Sequence, residues 1–299
     1  MDKHLEMVQN LVDKIEKNVS YDVNITTLAN SFDLSPWHFQ RLFKSIVGDS
    51  LGSYTRGRRL SLAATLLQTT QLSIIDIAFE VGFTSHESFS RSFKNYFKFS
   101  PKDFRENKPK VLINKKPLLT NNLLEHITTG MNKEPIIIDK PEQIIVGLEL
   151  KVPNIISLNS NISLSENLCE HVTPYWLELF DKEKEIMNRS EGYCGVIISS
   201  SGNFIEETLN YIAGVPVSFL DKLPKGMKTY TIPKQKVAIF ELQSELNSQS
   251  VKKTIDYIYG YWLPSSAYKR AVGADYELFT DVVNAKTGEF KMRYVIPII

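Results

Sequence analysis

Phe39–Lys44 reads FQRLFK and Phe89–Lys94 reads FSRSFK, one pattern written twice at an offset of 50 residues. The first copy sits in ITTLANSFDLSPWHFQRLFKSIVGDS, residues 25–50. Thr26 or Thr27 is placed to cap a short helix carrying Leu28 and Ala29, and SFDL breaks it. Ser35 then caps a second helix with Pro36 at its first position, where a missing N–H costs nothing. On that helix Phe39, Leu42, Phe43 and Ile46 recur at helical spacing and form a buried stripe, while Trp37, Gln40, Arg41, Lys44 and Ser45 point away from it.

The second copy lies in LSIIDIAFEVGFTSHESFSRSFKNYFKFS, residues 72–100. Ile74, Ile77 and Ala78 mark the short helix, and Gly82 supplies the turn, where positive φ is easy without a Cβ. Thr84 or Ser85 caps the longer helix. Phe89, Phe93 and Tyr96 form its buried stripe, with Glu87, Ser88, Arg91, Lys94 and Asn95 outward. A short helix, a tight turn and a longer capped helix with an outward Arg is the helix-turn-helix plan. Such a helix fits the major groove, where Arg can grip guanine O6 and N7 with two hydrogen bonds. Lys44 and Lys94 would neutralise phosphates. A charged helix face is by default a solvated one; the same Arg at the same place in two copies points to double-stranded DNA.

Between the copies, about Leu51 to Leu67 reads as one helix with Leu60, Ala63, Ala64 and Leu67 on one side. Roughly 17 residues give a spacer of about 25 Å, against about 34 Å between successive major-groove faces. Both heads are thus expected on adjacent groove turns, with bent DNA taking up the shortfall. Arg56, Arg58 and Arg59 are placed to reach phosphates, with Arg59 equally suited to a buried structural role.

Composition sets the outer bounds. The 299 residues suffice for two domains, and with 42% hydrophobic and 23% charged residues they are ordinary for a globular protein. No apolar run is long enough to cross a bilayer, and MDKHLEMVQN is polar from the start, so neither membrane nor secretion is expected. Two cysteines, Cys169 and Cys194, make no disulfide framework and suit reduced thiols in a cytoplasmic protein. Cys169 and His171 lack a second ligand pair, so no metal is expected, nor any cofactor. Residues 1–116 hold 17 Lys/Arg against 12 Asp/Glu, net +5, and the rest 18 against 22, net −4. A basic front and an acidic back suggest different partners for each.

SPWHFQRLFKSIVGDSLGSYTRGRRL and DIAFEVGFTSHESFSRSFKNYFKFSPKDFR make residues 1–108 resemble the AraC/XylS family of bacterial transcription activators. WHFQRLFK is nearest the wording of its MarA–SoxS–Rob branch, and a domain following the DNA-binding unit gives a Rob-like arrangement. The resemblance implies that Trp37, Gln40 and Arg41 face the groove in the first head, and Glu87, Ser88 and Arg91 in the second. It also implies RNA polymerase as a partner and a bacterial nucleoid location when bound. Glu87 stands where that branch commonly has Gln. A carboxylate repels phosphate and accepts only from cytosine N4, so the second head is expected to read a different sequence or to bind weakly.

Residues 109–134, with Pro at both ends and no steady period, read as a connector. From Pro135 the texture becomes β-rich. PIIIDKPEQIIVGLELKV gives a strand or hairpin. HVTPYWLELFDKEKEIMN gives a helix with Tyr175, Trp176, Leu179 and Phe180 inward, and GYCGVIISS and ETLNYIAGVPV give two strands. The order then recurs: TYTIPKQKVAIFEL as a strand, SQSVKKTIDYIYGYWL as a helix, and DYELFTDVV and FKMRYVIPI as a hairpin about NAKTGE. Duplicated β-α-β-β units imply an α+β domain with a groove at the junction of its halves, a common ligand position.

Residues 135–299 resemble the GyrI-like (SHS2-type) effector-binding fold through IPKQKVAIFEL, YIYGYWLPSSAY, DYELFT and TGEFKMRYVIPI. In relatives that bind lipophilic cations, a groove carboxylate meets the charge and aromatic rings cover the flat surface. The resemblance puts Glu277 at the acidic position, with Trp262, Tyr268, Tyr230 and Tyr257 as candidate aromatic partners. The expected whole is an all-α double helix-turn-helix domain followed by this α+β domain: a ligand-modulated, DNA-binding regulator and not an enzyme. Two alternatives stay open for the back half: a hydrolase using the groove Glu as base, or a protein-docking module without a ligand.

Overall fold

The computed structural model describes residues 3–17, 20, 25–107, 116–153, 168–201, 208–243, 248–284 and 289–299. They fall into two compact units, Met1–Glu125 with Tyr259–Ser265, and His126–Ile258 with Ser266–Ile299. Among the described residues, no helix is long and apolar enough to cross a membrane.

The first unit is helical. After α1 (Lys3–Lys17) come α2 (Ile25–Asn30) and α3 (Pro36–Val47). Thr26 and Thr27 lie inside α2 and do not cap it. Ser35 is extended, accepts from the His38 N–H at 3.2 Å and leads into Pro36, so the cap of α3 is as its residues dictate. Such a cap contributes about 1 kcal/mol. Phe39, Phe43 and Val47 are buried, and Gly48 ends the helix at φ 81°, its N–H returning to Lys44 O. α4 (Leu51–Thr69), capped by Ser50, is 19 residues long and buries Leu60, Ala63, Ala64 and Leu67. Those four pack with Ile77 and Ala78 of α5 (Ile74–Glu80) and with Phe89, Phe93 and Phe97 of α6 (His86–Phe97). Gly82, at φ 83°, turns α5 into α6 where an added Cβ would lie 2.7 Å from Ser20 Cα. α7 (Pro101–Asn107) closes this core with Phe104, edge-on to Phe93 at 5.1 Å.

Two spacer arginines are structural. Arg58 donates from Nε and Nη2 to Glu16, both at 2.7 Å, and Arg59 donates to Gly82 O at 3.0 Å. Arg56 alone of the three is exposed. The stretch expected as a connector contains ordered helix: α8 (Asn121–Glu125) buries Leu123 and Leu124, with Thr120 Oγ1 accepting from the Leu123 N–H. A π-helical turn follows over His126–Gly130. Residues 109–115 lie outside the described residues.

The second unit is one eight-stranded antiparallel sheet in the order β1-β6-β8-β7-β3-β4-β2-β5. Its strands are β1 (Ile136–Lys140), β2 (Gln143–Pro153), β3 (Tyr193–Ile198), β4 (Thr208–Val217), β5 (Lys228–Ile232), β6 (Gln235–Glu241), β7 (Asp275–Asn284) and β8 (Glu289–Pro297). The helix α9 (Leu168–Lys182) follows β2, and α10 (Ser248–Tyr257) follows β6. The duplication is therefore β2-α9-β3-β4 and β6-α10-β7-β8, meeting where β3 pairs with β7.

Two readings of single segments change. The stretch 135–152 is not a hairpin, because β1 pairs with β6 and β2 with β4 and β5. TYTIPKQKVAIFEL is two strands, broken at Pro233, which has no N–H for a ladder. Each half thus receives its edge strand from the segment preceding the other half. The turn residues 285–288 and the start of the segment read as ETLNYIAGVPV lie outside the described residues, as does the Cys169 side chain.

Candidate functional site

Side chains alternate across β7, so Tyr276 and Leu278 join a core on one face with Ile145, Val196, Ile212 and Val295. Glu277 points to the other face. Its neighbour across the β3–β7 junction is Gly195, and its neighbour on β8 is Tyr294. Tyr211 of β4 donates its hydroxyl to Glu277 Oε2 at 2.7 Å. Gly195 makes this possible: a Cβ there would lie 2.1 Å from the Tyr211 oxygen and 2.8 Å from Glu277 Oε2.

Aromatic rings enclose the pair. Trp176 of α9 lies edge-on to Tyr211 at 6.4 Å, to Phe279 at 5.3 Å and to Tyr193 at 6.2 Å, and Phe180 meets Tyr193 at 5.1 Å. Glu277 is 6% exposed. Burial pushes its carboxyl up to about 7, with the Tyr211 hydrogen bond acting the other way. Burial and the facing carboxylate together raise the Tyr211 phenol well above its ordinary value. A buried acid half-ionised near neutrality and set among aromatic rings is chemically suited to a cation with flat apolar groups.

The aromatic partners expected from sequence fall elsewhere. Tyr230 packs on the opposite face of the sheet, with the Tyr276 and Leu278 core. Tyr257 is buried beside Phe240 and its hydroxyl donates to Lys133 O. Trp262 belongs to the helical unit. Tyr268 lies in a turn, where its N–H donates to Ser266 Oγ. The rings near Glu277 include Tyr211, Trp176, Tyr193, Phe279 and the facing Tyr294, and the glycine inside the YCGVII strand was the signal that something approaches closely there.

In the helical unit, the expected reading residues are all solvent-exposed: Trp37, Gln40, Arg41, Lys44 and Ser45 on α3, and Glu87, Ser88, Arg91, Lys94 and Asn95 on α6. Trp37 is 59% exposed, and the Arg41 guanidinium rests 4.6 Å from its ring centre. Ser45 Oγ donates back to Leu42 O. Ser85 caps α6 by accepting from the Ser88 N–H at 3.1 Å, which uses that donor internally. Glu87 sits in the first turn of α6, where its own N–H and the Ser85 hydroxyl hold its carboxyl below the usual range. α4 separates the heads by 19 residues, about 28 Å of helix.

Residues 28–107 match the helix-turn-helix domain family, and residues 133–299, more than half of the chain, match the GyrI-like small molecule binding domain family. The regulatory protein SoxS of Salmonella typhimurium is 38% identical over 102 residues, which are 34% of this chain and 95% of that protein. The transcriptional regulator Rob of the same organism is 34% identical over 101 residues, covering 34% of this chain and 35% of Rob. A crystal structure of an AraC-type transcriptional regulator from Chromobacterium violaceum matches with 30% identity and a TM-score of 0.31, covering 35% of this chain and 91% of that one. The chain belongs to the AraC/XylS family of DNA-binding transcription regulators and carries a GyrI-like small-molecule-binding domain behind its helix-turn-helix unit, a Rob-like layout.

Proposed function

We propose that this chain is a transcription activator that reads two adjacent major-groove segments with α3 and α6 and is modulated by a lipophilic cation at Glu277. Arg41 and Arg91 supply the base-reading forks, Gln40, Ser88 and Asn95 further polar contacts, and Lys44 and Lys94 phosphate contacts. Trp37 and Ser45 flank the first fork. RNA polymerase is the partner through which the bound regulator acts. The chain works by binding rather than by turnover, as its relatives SoxS and Rob are regulators.

The observation that carries the ligand reading is the buried Glu277 carboxyl, which accepts from the Tyr211 hydroxyl beneath the edge-packed rings of Trp176, Tyr193 and Phe279. Empty, the site holds an acid that burial disfavours in its charged form; a bound cation relieves that cost. Differential affinity for the active arrangement is then what lets the ligand bias transcription.

The test is titration calorimetry of the full chain with tetraphenylphosphonium and with neutral triphenylphosphine oxide. The cation should bind more tightly, Glu277→Gln should lose that preference, and quenching of Trp176 fluorescence should follow binding. Equal affinities for both probes in the unsubstituted chain would remove Glu277 from the reading.

A further inference from the structure

The DNA-reading unit contains seven residues, Tyr259–Ser265, that lie in sequence inside the stretch matching the GyrI-like family. Two of them enter the middle of a buried polar cluster. Tyr261 is fully buried, donates its hydroxyl to Pro117 O and stacks on Tyr54 at 6.4 Å and 21°. Gly260 offers its carbonyl to Lys116 Nζ at 2.6 Å. The same ammonium lies 4.3 Å from the centre of the Tyr261 ring and forms an ion pair with Asp49. Lys116 and Asp49 are 3% and 4% exposed. Gly260 has to be glycine, since a Cβ would stand 2.2 Å from Pro117 Cδ.

Asp49 occupies the joint between the first reading helix and the spacer. It follows Gly48, which ends α3, and precedes Ser50, the cap of α4, whose N–H it accepts at 2.7 Å. Lys116 is held on its other side too: its N–H donates to Ser61 Oγ on α4, and its carbonyl accepts from Arg58. Among the described residues, the second copy has no such ion pair at its joint. At the offset of 50, Asp49 corresponds to Phe99, which is partly exposed and carries no charge with which to pair.

We infer that Gly260 and Tyr261 are positioning residues chiefly for the first reading helix: they hold Lys116, Lys116 holds Asp49, and Asp49 fixes the α3–α4 joint that aims Arg41. The sequence of the sensor region thereby contributes directly to how one head reads DNA, while α6, whose Tyr96 lies beside the same cluster, has no ion pair of this kind at its own joint among the described residues. An ion pair this deeply buried keeps its geometry only while its remaining donors and acceptors are matched, and removing one partner strands the other. The inference rests on α3 and α6 being the DNA-reading helices.

The test is hydroxyl-radical footprinting of full-length Tyr261→Leu on a site selected with the unsubstituted protein. The two protected segments are assigned beforehand by their separate sensitivity to Arg41→Ala and Arg91→Ala. Protection of the Arg41-dependent segment should weaken about tenfold or more in required protein concentration, with the Arg91-dependent segment much less affected. Tyr261→Phe, which keeps the ring over Lys116, should restore most of the first footprint. If Tyr261→Leu fails to fold, Lys116→Met with Asp49→Asn removes the clamp without stranding a charge and decides the question. Equal weakening of both segments, or no change in either, overturns the inference. Absence of any footprint from the unsubstituted protein would instead overturn the DNA-reading assignment on which it rests.

Discussion

Tyr211 donates its hydroxyl to Glu277 across the open space left by Gly195, so three strands of the sheet, β4, β3 and β7, converge on one buried carboxyl. The position is the junction of the duplicated halves, where β3 pairs with β7. Because burial raises the carboxyl from about 4.5 to about 7, the folded protein holds this proton more tightly than the unfolded chain. Its stabilising contribution is complete below about pH 4.5 and is lost as pH rises through 7, a total of about 3 kcal/mol. Denaturant melts at pH 5 and pH 8 should show Glu277→Gln gaining stability over the unsubstituted chain at pH 8 by roughly 2–3 kcal/mol, with little gain at pH 5. A constant difference across that range would contradict the burial account.

Ligand affinity should run the opposite way with pH. A cation binds the ionised form, so tetraphenylphosphonium affinity should rise between pH 6 and pH 8 and then level off. In Glu277→Gln the slope should vanish. A persisting slope would place the responsible group elsewhere.

Gly195→Ala tests the close approach itself. A methyl group 2.1 Å from the Tyr211 oxygen cannot be accommodated without moving β4 or turning Tyr211 away from Glu277. Such overpacking costs about 1–3 kcal/mol. Melting temperature should fall, and cation binding should weaken with it. Unaltered binding would show that the Tyr211–Glu277 hydrogen bond is dispensable.

For DNA, Arg41→Ala should cost about 1–3 kcal/mol on the selected site and relax preference at one base pair. Arg91→Ala should do the same at a different base pair. Gel-shift titration against a panel of single-base variants reads both effects. Equal loss on random DNA would demote the arginine concerned to a phosphate contact.

Glu87 gives a prediction of opposite sign. Its carboxyl is fully exposed and held ionised at the start of α6, where a phosphate or base edge would approach. Glu87→Gln should tighten binding on sites lacking a cytosine at the facing position and leave affinity on the selected site equal or weaker. Selection of binding sites from random DNA with each protein checks this. Identical preferences would show that Glu87 stays clear of the duplex.

The helical unit was readable because its signals are local. Ser35–Pro36, Ser85, Gly48 and Gly82 set caps and turns by their own chemistry, and the Phe39/Phe43 and Phe89/Phe93 stripes fix the buried sides at helical spacing. Arg58 was harder: nothing near it in sequence announces Glu16, 42 residues away. In the sheet unit, individual strands and the final β7–β8 hairpin could be seen, but not the other pairings. β1 and β5 exchange edges between the halves, a long-range choice with no local mark.

The proposed ligand site divides the same way. Glu277 was found from its motif, whereas its ring partners come from α9, β3 and β4, brought together only by the sheet order. The aromatic-rich YIYGYWL run drew attention to Tyr257 and Trp262, yet its helix turns Tyr257 into the core beside Phe240, and Trp262 belongs to the other unit. Abundant aromatics make composition a poor guide to which of them line a site.

Hydroxyl-radical footprinting of the purified full chain on its selected site tests the two-headed reading most directly. Two windows of protection are expected on one face of the duplex, about 10 base pairs apart centre to centre, with Arg41→Ala weakening one and Arg91→Ala the other. A single window lost equally in both variants would contradict it.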